Sequence, residues 1–288
     1  MLAKIAVLTM TRGRHDQLLG QVDGLSVGSV PPAIHSIASM GDRDLTRGRL
    51  PLASDRWRTI VRPVPTDRRA LPLAAARNAT AAQAISAGAD VLVFFDGDVI
   101  PGTRALERYA AAVTGEAGAA IREQVAGPIL WCGPVLQLPE PANPEVGYPL
   151  RKLDTLGVRT PGTPPLRNGE LVIEERFELF HALAFAMSAD DFEATGGFCP
   201  QYTGKGLEDA DFAQIVREAG GAMVWVGGAT TYLQPGQEVA EAEEERIALN
   251  HAKIWGDRWG QPSTHPWLQR LVGQGRLRAA PAGNYRAV

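Results

Sequence analysis

The sequence predicts an α/β protein, and two observations carry that prediction. Over roughly the first 130 residues, short apolar runs rich in β-branched and aromatic residues alternate with amphipathic or alanine-rich stretches. The run over 90–95 is continuously apolar after its first residue, which is typical of a strand buried on both faces. Strands and helices in this order form a sheet covered by helices on both faces.

The individual elements follow from the local patterns. Residues 73–88 are rich in alanine, lack interior glycine and proline, and end at Gly88, so they form a predicted helix. The predicted strands are 5–9, 33–38, 57–64, 90–95, one or two within 126–138, 171–173, 180–187 and 223–226. The predicted helices are 18–25, 73–88, 103–113, 209–219 and 238–255, after which a loose tail begins at Gly260.

Composition excludes several classes of protein. The chain has 288 residues, of which 45% are hydrophobic, so it can bury a sizeable core and is not disordered. Its 29 Lys and Arg against 32 Asp and Glu leave a net charge of −3, which argues against a nucleic-acid binder. The longest apolar runs, 91–95 and 223–226, are far shorter than the roughly 20 residues that span a bilayer.

Two further features indicate a cytoplasmic protein. The first ten residues are more typical of a strand than of a signal peptide, because no small-residue cleavage site follows them. The two cysteines, Cys132 and Cys199, have neither the pairing nor the spacing of a disulfide framework or a structural zinc site.

Proline is concentrated in one segment. Seven of the 21 prolines lie between residues 139 and 165. The segment 139–166 is therefore predicted to be a long loop, either a wall or lid over a cleft or a disordered excursion.

The motif with the clearest chemistry is Asp96-Gly97-Asp98, directly after the predicted buried strand. Ligands of open α/β sheets bind at the carboxyl ends of strands. Alternation along an extended backbone points both carboxylates the same way, and two such oxygen ligands suit Mg²⁺ or Mn²⁺ together with phosphate oxygens and water. An Asp-Gly turn with capping carboxylates is the alternative.

Two other groups of residues bear on function. Arg77 and Asn78 lie in the predicted helix before that strand, where they could face a nucleotide or be ordinary polar helix positions. A glycine-rich stretch from Thr195 to Gly206 leads into Glu208-Asp209 at a predicted helix start. These acids could cap the helix, or one of them could be a general base that acts on a sugar hydroxyl.

In this fixed order the motifs resemble family 2 type glycosyltransferases with the GT-A fold, in particular the branch with a galactosyltransferase-like C-terminal half. The resemblance covers residues 5–221, about three quarters of the chain. The residues that carry it are Thr9, Arg12, Arg77-Asn78, Asp96-Gly97-Asp98, Gly196-Gly197-Phe198 and the block from Gly204 to Asp211. It implies a Rossmann-like α/β/α sandwich over 1–236 and a helical tail over 237–288. The Pro-rich insertion at 139–170 lies where acceptor-side loops are inserted in this family, so it is a candidate for the loop that sets acceptor choice.

The resemblance also implies a reaction and residue roles. The reaction is inverting transfer of a sugar from a nucleotide-sugar, with a UDP-sugar favoured, to a hydroxyl of a carbohydrate or other acceptor. Asp209 would be the base and Glu208 would bind the acceptor or donor sugar. Asp96 and Asp98 would hold Mn²⁺ or Mg²⁺ on the diphosphate. The residues that would bind the nucleotide or donor are Thr9, Arg12, Arg77, Asn78, Asp96, Gly197 and Lys205.

One position departs from the family pattern. A histidine usually completes the metal site after the last strand, but Leu233 stands there, so metal binding is expected to be weaker or absent. His251, on the last predicted helix, is expected to be an ordinary surface residue, and His181 to satisfy a buried hydrogen bond. A catalytically silent nucleotide-sugar or carbohydrate-binding domain is therefore an alternative, and a sugar-nucleotidyltransferase is a more distant one. Oligomeric state cannot be predicted from these patterns.

Overall fold

The computed structural model describes residues 3–66, 71–143, 146–160, 162–236, 241–280 and 285–287. Its strands are Ile5–Thr11 (β1), Ile34–Met40 (β2), Arg58–Val64 (β3), Val91–Asp96 (β4), Val99–Pro101 (β5), Ile129–Cys132 (β6), Val135–Gln137 (β7), Val158–Arg159 (β8), Leu171–Glu174 (β9), Ala184–Ser188 (β10), Ala222–Val226 (β11), Thr231–Leu233 (β12), Leu277–Ala279 (β13) and Tyr285–Ala287 (β14). Its α-helices are His15–Ser26 (α1), Arg43–Thr46 (α2), Leu73–Ser86 (α3), Ala105–Thr114 (α4), Glu116–Arg122 (α5), Leu153–Leu156 (α6), Ala189–Thr195 (α7), Glu208–Glu218 (α8), Glu241–Trp259 (α9) and Pro266–Gly273 (α10).

A central sheet of eight strands organises the molecule, in the order β3-β2-β1-β4-β10-β6-β11-β9. The first four of these strands run parallel, whereas β10 is antiparallel to both β4 and β6. Apolar clusters cover both faces of the sheet, which explains why β4 is a continuous apolar run. The predicted α/β sandwich is thus confirmed.

The register of the sheet positions the carboxyl ends of β1 and β4 side by side. Met10 pairs with Asp96, so the residues that follow both strands meet at one edge of the sheet. A second sheet, β5-β12-β7-β8, continues from this edge. In it Leu233 pairs with Val99, and the Gln234 N–H donates to the Asp98 carbonyl at 2.9 Å. Leu233 therefore lies beside Asp98, where the family pattern would place a histidine.

Stacked phenylalanines connect β4 to helix α8. Phe94 stacks on Phe185 with ring centroids 4.5 Å apart, and Phe198 stacks on Phe212 of α8 at 3.9 Å. These four rings are buried in one cluster. This packing fixes the start of α8 near the end of β4.

The Pro-rich segment differs from the predicted loop. It contains a 3₁₀ turn over Leu150–Lys152, helix α6 and strand β8, which pairs with β7. Leu153 packs in a small apolar cluster with Tyr232. Residues 144 and 161, both prolines of the segment, lie outside the described residues.

The tail also has more structure than expected. Helix α9 extends to Trp259, and α10 and the β13–β14 pair follow where a loose end is predicted. This C-terminal segment packs on Tyr202 and Leu207 in a cluster of its own. The start of the predicted helix, residues 238–240, lies outside the described residues. No helix in the described ranges is both long and apolar enough to cross a membrane.

A buried histidine in β2 makes the stability of this fold depend on pH. His35 is fully buried, its Nε2 lies 3.0 Å from the Thr9 hydroxyl, and its Nδ1 has no hydrogen-bond partner. Burial lowers the pKa of His35 to about 3, from 6.5. Between these values the unfolded chain binds a proton that the folded chain does not, so stability is present above pH 6.5 and is lost as the pH falls.

We expect the His35→Gln variant to lose the part of this pH dependence that His35 contributes. From pH 6.5 to pH 5 the wild type should lose about 2 kcal/mol of unfolding free energy through this group, at about 1.4 kcal/mol per pH unit. Urea denaturation of both proteins at the two pH values measures the difference. An equal loss in the variant would show that His35 is not the responsible group.

Candidate functional site

A cleft of about 450 Å³ opens at the edge where β1 and β4 end. We call it the first cleft. It is lined by Met10, Thr11, Arg12, Arg14, Met40, Leu71, Leu73, Asp96, Gly97, Asp98, Gly204, Lys205, Leu233, Gln234, Gly236, Glu243 and Ile247. Its location matches the rule that open α/β sheets bind ligands beyond the carboxyl ends of their strands.

Asp96 and Asp98 form one wall of the first cleft, and each is bound by an arginine. Arg77 Nη2 donates to Asp96 Oδ1 at 3.1 Å, and Arg14 Nη1 donates to Asp98 Oδ2 at 2.6 Å. Gly97 between them lies so close to β1 that an added Cβ would be 3.0 Å from the Thr11 Cβ. The chain can therefore turn sharply here and keep both carboxylates at the cleft.

Arg14 has an unusual backbone. Its φ of +51° is the only positive value among the non-glycine residues that the structure describes. A non-glycine residue in this region is strained by about 1 kcal/mol or more, so surrounding contacts must hold it. The ion pair with Asp98 is one such contact.

Arg77 of α3 lies beneath the cleft and connects three acidic residues. Its side chain is 3% exposed, and its Nη1 lies 3.9 Å from Glu208 Oε1. Its positive charge also attracts the carboxylates of Asp96 and Asp209. The Phe198 ring packs against its guanidinium, with the centroid 5.2 Å from the Cζ. One buried cation thus joins α3, the end of β4 and the start of α8.

The environment of this cluster divides the acids into different protonation states. Burial raises the pKa of Asp96 to about 6, although Arg77 opposes the shift. Burial and the charge of Asp209 also raise the pKa of Glu208. Burial would raise the pKa of Asp209 too, but the positive charge of Arg77 and the Ala182 N–H bring it below its usual value. Asp209 is therefore the ionised member of the pair at neutral pH.

A second cleft, of about 560 Å³, exposes Asp209. It is lined by His181, Lys205, Gly206, Asp209, Glu241, Glu244, Ile247, His265, Trp267, Arg270, Gln274 and Arg276. Lys205 and Ile247 line both clefts. Asp209 accepts a hydrogen bond from the Ala182 N–H at 3.2 Å on Oδ2, while its buried Oδ1 has no partner. An ionised carboxylate that lines a cleft can accept a proton.

The structure brings some of the predicted residues to the clefts. Arg12, Asp96 and Asp98 lie in the first cleft, Asp209 lies in the second, and Lys205 lies in both. Sequence reasoning missed several of the other lining residues. Arg14 could have been found from the Thr-Arg-Gly-Arg sequence at the end of β1, whereas the C-terminal residues of the second cleft carried no recognisable motif.

Other predicted binding residues do not reach either cleft. Thr9 is fully buried and its hydroxyl donates to Gln21 Oε1 at 2.7 Å, because β1 is covered on both faces. Glu208 is 1% exposed, and it accepts the Gly206 N–H at 2.6 Å instead of facing a sugar. Arg77 is likewise buried and can act on a ligand only through the acids that it holds.

Asn78 and Gly197 contact each other and line neither cleft. The Asn78 side chain donates to the Phe198 carbonyl at 2.7 Å and accepts its N–H at 2.9 Å. Gly197 has a φ of +81°, and an added Cβ would lie 2.7 Å from Asn78 Oδ1. The pair ties α3 to the chain before α8.

Two histidines differ from their predictions. His251 is completely buried, and it accepts the Leu207 N–H at Nδ1 at 3.1 Å while Nε2 lies 3.0 Å from the Thr203 carbonyl. It is not a surface residue, because α9 packs against the loop 203–207. His181 is exposed and lines the second cleft near Asp209, so it does not satisfy a buried hydrogen bond.

The carboxylate oxygens at the first cleft can bind a divalent cation only if a substrate supplies further oxygen ligands. Asp96 and Asp98 supply carboxylate oxygens, which Mg²⁺ and Mn²⁺ accept alongside phosphate oxygens and water. No group of three or more His, Cys, Asp or Glu side chains suited to a metal occurs in the described part of the chain. The apolar Leu233 supplies no third ligand.

The described residues of the Pro-rich segment line neither cleft. Those around Tyr148 instead line a third cavity, of about 350 Å³, against α1.

Comparison with known proteins identifies the fold but not a sequence family. No protein-family model matches the chain, and no curated protein matches its sequence significantly. Three solved structures are similar at 12–14% identity: residues 1–349 of TarS from S. aureus, GalNAc-T7 with UDP, GalNAc and Mn²⁺, and the mannosyltransferase PcManGT from Pyrobaculum calidifontis with GDP-Man and Mn²⁺.

These similarities extend over most of this chain. The TM-scores are 0.51 for TarS, 0.55 for GalNAc-T7 and 0.54 for PcManGT, over 86%, 95% and 95% of the chain. The chain spans 65%, 54% and 69% of those structures respectively, which is less than two thirds of the first two. The protein therefore has the GT-A fold that these glycosyltransferases share.

Proposed function

We propose that this protein is a glycosyltransferase that moves a sugar, with inversion at the anomeric carbon, from a nucleotide-diphosphate donor to an acceptor hydroxyl. The observation that carries the proposal is the meeting of two clefts at Lys205, one with Asp96 and Asp98 on its wall and the other with Asp209. A transferase that joins two substrates requires two such adjoining sites.

The first cleft is the proposed donor site. Arg12, Arg14 and Lys205 bring positive charge to it, which suits a diphosphate. A uridine nucleotide is favoured, since TarS has been solved with UDP-GlcNAc and GalNAc-T7 with UDP, although PcManGT was solved with GDP-Man. Asp96 and Asp98 would hold Mn²⁺ or Mg²⁺, which when bound would neutralise charge on the departing diphosphate.

Asp209 is the proposed general base. The acceptor O–H gives its proton to the Asp209 carboxylate as the acceptor oxygen bonds to the anomeric carbon. The bond from that carbon to the diphosphate breaks at the same time, and the nucleoside diphosphate leaves with the electron pair. Lys205, between the two clefts, offers positive charge to the leaving group.

We expect Asp209→Asn to abolish transfer and spare donor binding. The amide keeps an oxygen for the Ala182 N–H but cannot take a proton, so turnover should fall roughly 10²–10⁴-fold. The measurements are release of UDP from UDP-GlcNAc, UDP-Glc or UDP-Gal, and calorimetric affinity for the same nucleotide. The matched control is Asp190→Asn, an exposed carboxylate of α7. Full turnover in Asp209→Asn would disprove the assignment of the base.

We expect Asp98→Ala to remove the part of donor affinity that depends on a metal. The remaining carboxylate, Asp96, is bound to Arg77 and cannot by itself replace a two-carboxylate site. Calorimetry of UDP-GlcNAc with Mn²⁺ and with EDTA measures the effect, and Asp257→Ala, in an exposed ion pair, is the control.

Release of UDP separates the proposal from its main rival. A silent carbohydrate-binding domain would bind the nucleotide-sugar but release no UDP. If no uridine nucleotide binds to the wild-type protein, with or without Mn²⁺, the UDP-sugar assignment is wrong.

A further inference from the structure

The second cleft has a wall formed by the C-terminal segment, beyond the part of the chain that carries recognisable motifs. Helix α10 and the residues around it supply His265, Trp267, Arg270, Gln274 and Arg276. At about 560 Å³ the cleft falls within the roughly 300–1,000 Å³ of small-molecule sites.

The charges in this wall are paired with one another. Arg270 Nη2 donates to Glu244 Oε1 at 2.6 Å, and Arg276 Nη1 donates to Glu244 Oε2 at 2.7 Å. Arg276 also donates to Glu245 Oε1 at 2.9 Å. Because these cations already have carboxylate partners, the wall has little free charge for a phosphate or another anion. It does hold donors and acceptors in fixed positions, which is what neutral hydroxyl groups require.

Trp267 gives this polar wall an aromatic surface. Its indole is half-buried, and its Nε1 donates to Glu244 Oε1 at 2.9 Å, which fixes the ring. The ring packs on Gly206, where an added Cβ would lie 2.5 Å from the indole Cζ3. A rigid aromatic ring beside fixed polar groups suits a ligand with an apolar C–H face and a hydroxylated edge.

The apolar part of the lining is too small for other acceptor classes. Ile247 and Trp267 are the large apolar residues among the described residues of this cleft. A lipid chain would need a longer apolar groove, and an anionic acceptor would need unpaired cations in the C-terminal wall, since the proposed role of Lys205 at the boundary is to bind the donor diphosphate. A sugar ring fits both the aromatic surface and the paired polar groups.

We propose that the second cleft is the acceptor site and that its acceptor is a neutral saccharide, with one ring on Trp267 and one hydroxyl at Asp209. This inference rests on the proposed function and specifies its acceptor. It also assigns acceptor choice to the C-terminal segment, rather than to the Pro-rich segment.

Saturation-transfer NMR on the full chain with saturating UDP tests the inference. The probes are cellobiose, maltose, lactose and N,N′-diacetylchitobiose, with glucose 6-phosphate and a threonine-containing peptide as comparators. We expect a neutral disaccharide to bind. Trp267→Leu should weaken its affinity at least about tenfold, whereas Trp267→Phe, which keeps an aromatic ring, should weaken it less.

Two further variants distinguish a loss of disaccharide binding from a loss of folding. Trp255→Leu makes the same substitution elsewhere in the C-terminal segment, outside the cleft, and should leave disaccharide affinity unchanged. Gln274→Trp places a large ring in the cleft from an exposed position and should abolish disaccharide binding with UDP affinity retained.

The inference and the proposed function can fail separately. If UDP binds but no neutral disaccharide does, or if only the phosphorylated sugar or the peptide binds, the saccharide assignment is wrong. It is also wrong if both Trp267→Leu and Gln274→Trp bind the disaccharide as the wild type does. Failure of UDP or any UDP-sugar to bind would instead contradict the proposed donor.

Discussion

The site depends on one buried cation, Arg77. Its guanidinium lies among Asp96 and the adjacent acids Glu208 and Asp209, which come from parts of the chain more than 100 residues apart. Three carboxyl groups could not share this space without a cation, because each unpaired buried charge costs several kcal/mol. Arg77 therefore connects the end of β4, at the first cleft, to the start of α8, at the second cleft. Its charge keeps Asp209 ionised beside the protonated Glu208.

A second constraint comes from the C-terminal segment, which fixes the loop between the clefts. His251 binds both Thr203 and Leu207, and Trp267 packs on Gly206 between them. Burial lowers the pKa of His251 to about 4, so the ring stays neutral and keeps both hydrogen bonds at neutral pH. The C-terminal segment therefore fixes Lys205 at the boundary of the two clefts. This segment is part of the site, although it is distant in sequence from β1 and β4.

The limits of sequence reasoning follow from these contacts. The place of Asp96-Gly97-Asp98 could be predicted because a continuous apolar run marks β4 and ligands gather at strand ends. The role of Thr9 could not be, because a threonine near a strand end looks the same whether it faces a cleft or, as here, donates to Gln21. His251 lies 44 residues from its backbone partner Leu207, and no local pattern encodes such a contact. The sequence patterns therefore miss contacts that form only when distant parts of the chain pack together.

The two arginines that bind the aspartates of the first cleft, Arg77 and Arg14, have different freedom to move, and this gives the two aspartates different roles. Arg77 is 3% exposed and packs against the Phe198 ring, so loss of its bond to Asp96 Oδ1 would leave a buried charge unpaired. Arg14 is 36% exposed, its ion pair with Asp98 is partly screened by water, and its backbone is strained. Under the proposed function, a cation bound to the donor diphosphate would compete with Arg14 for Asp98, and the released guanidinium would remain beside the phosphates. Asp98 is the carboxylate whose partner can change at little cost, while Asp96 preserves the shape of the wall.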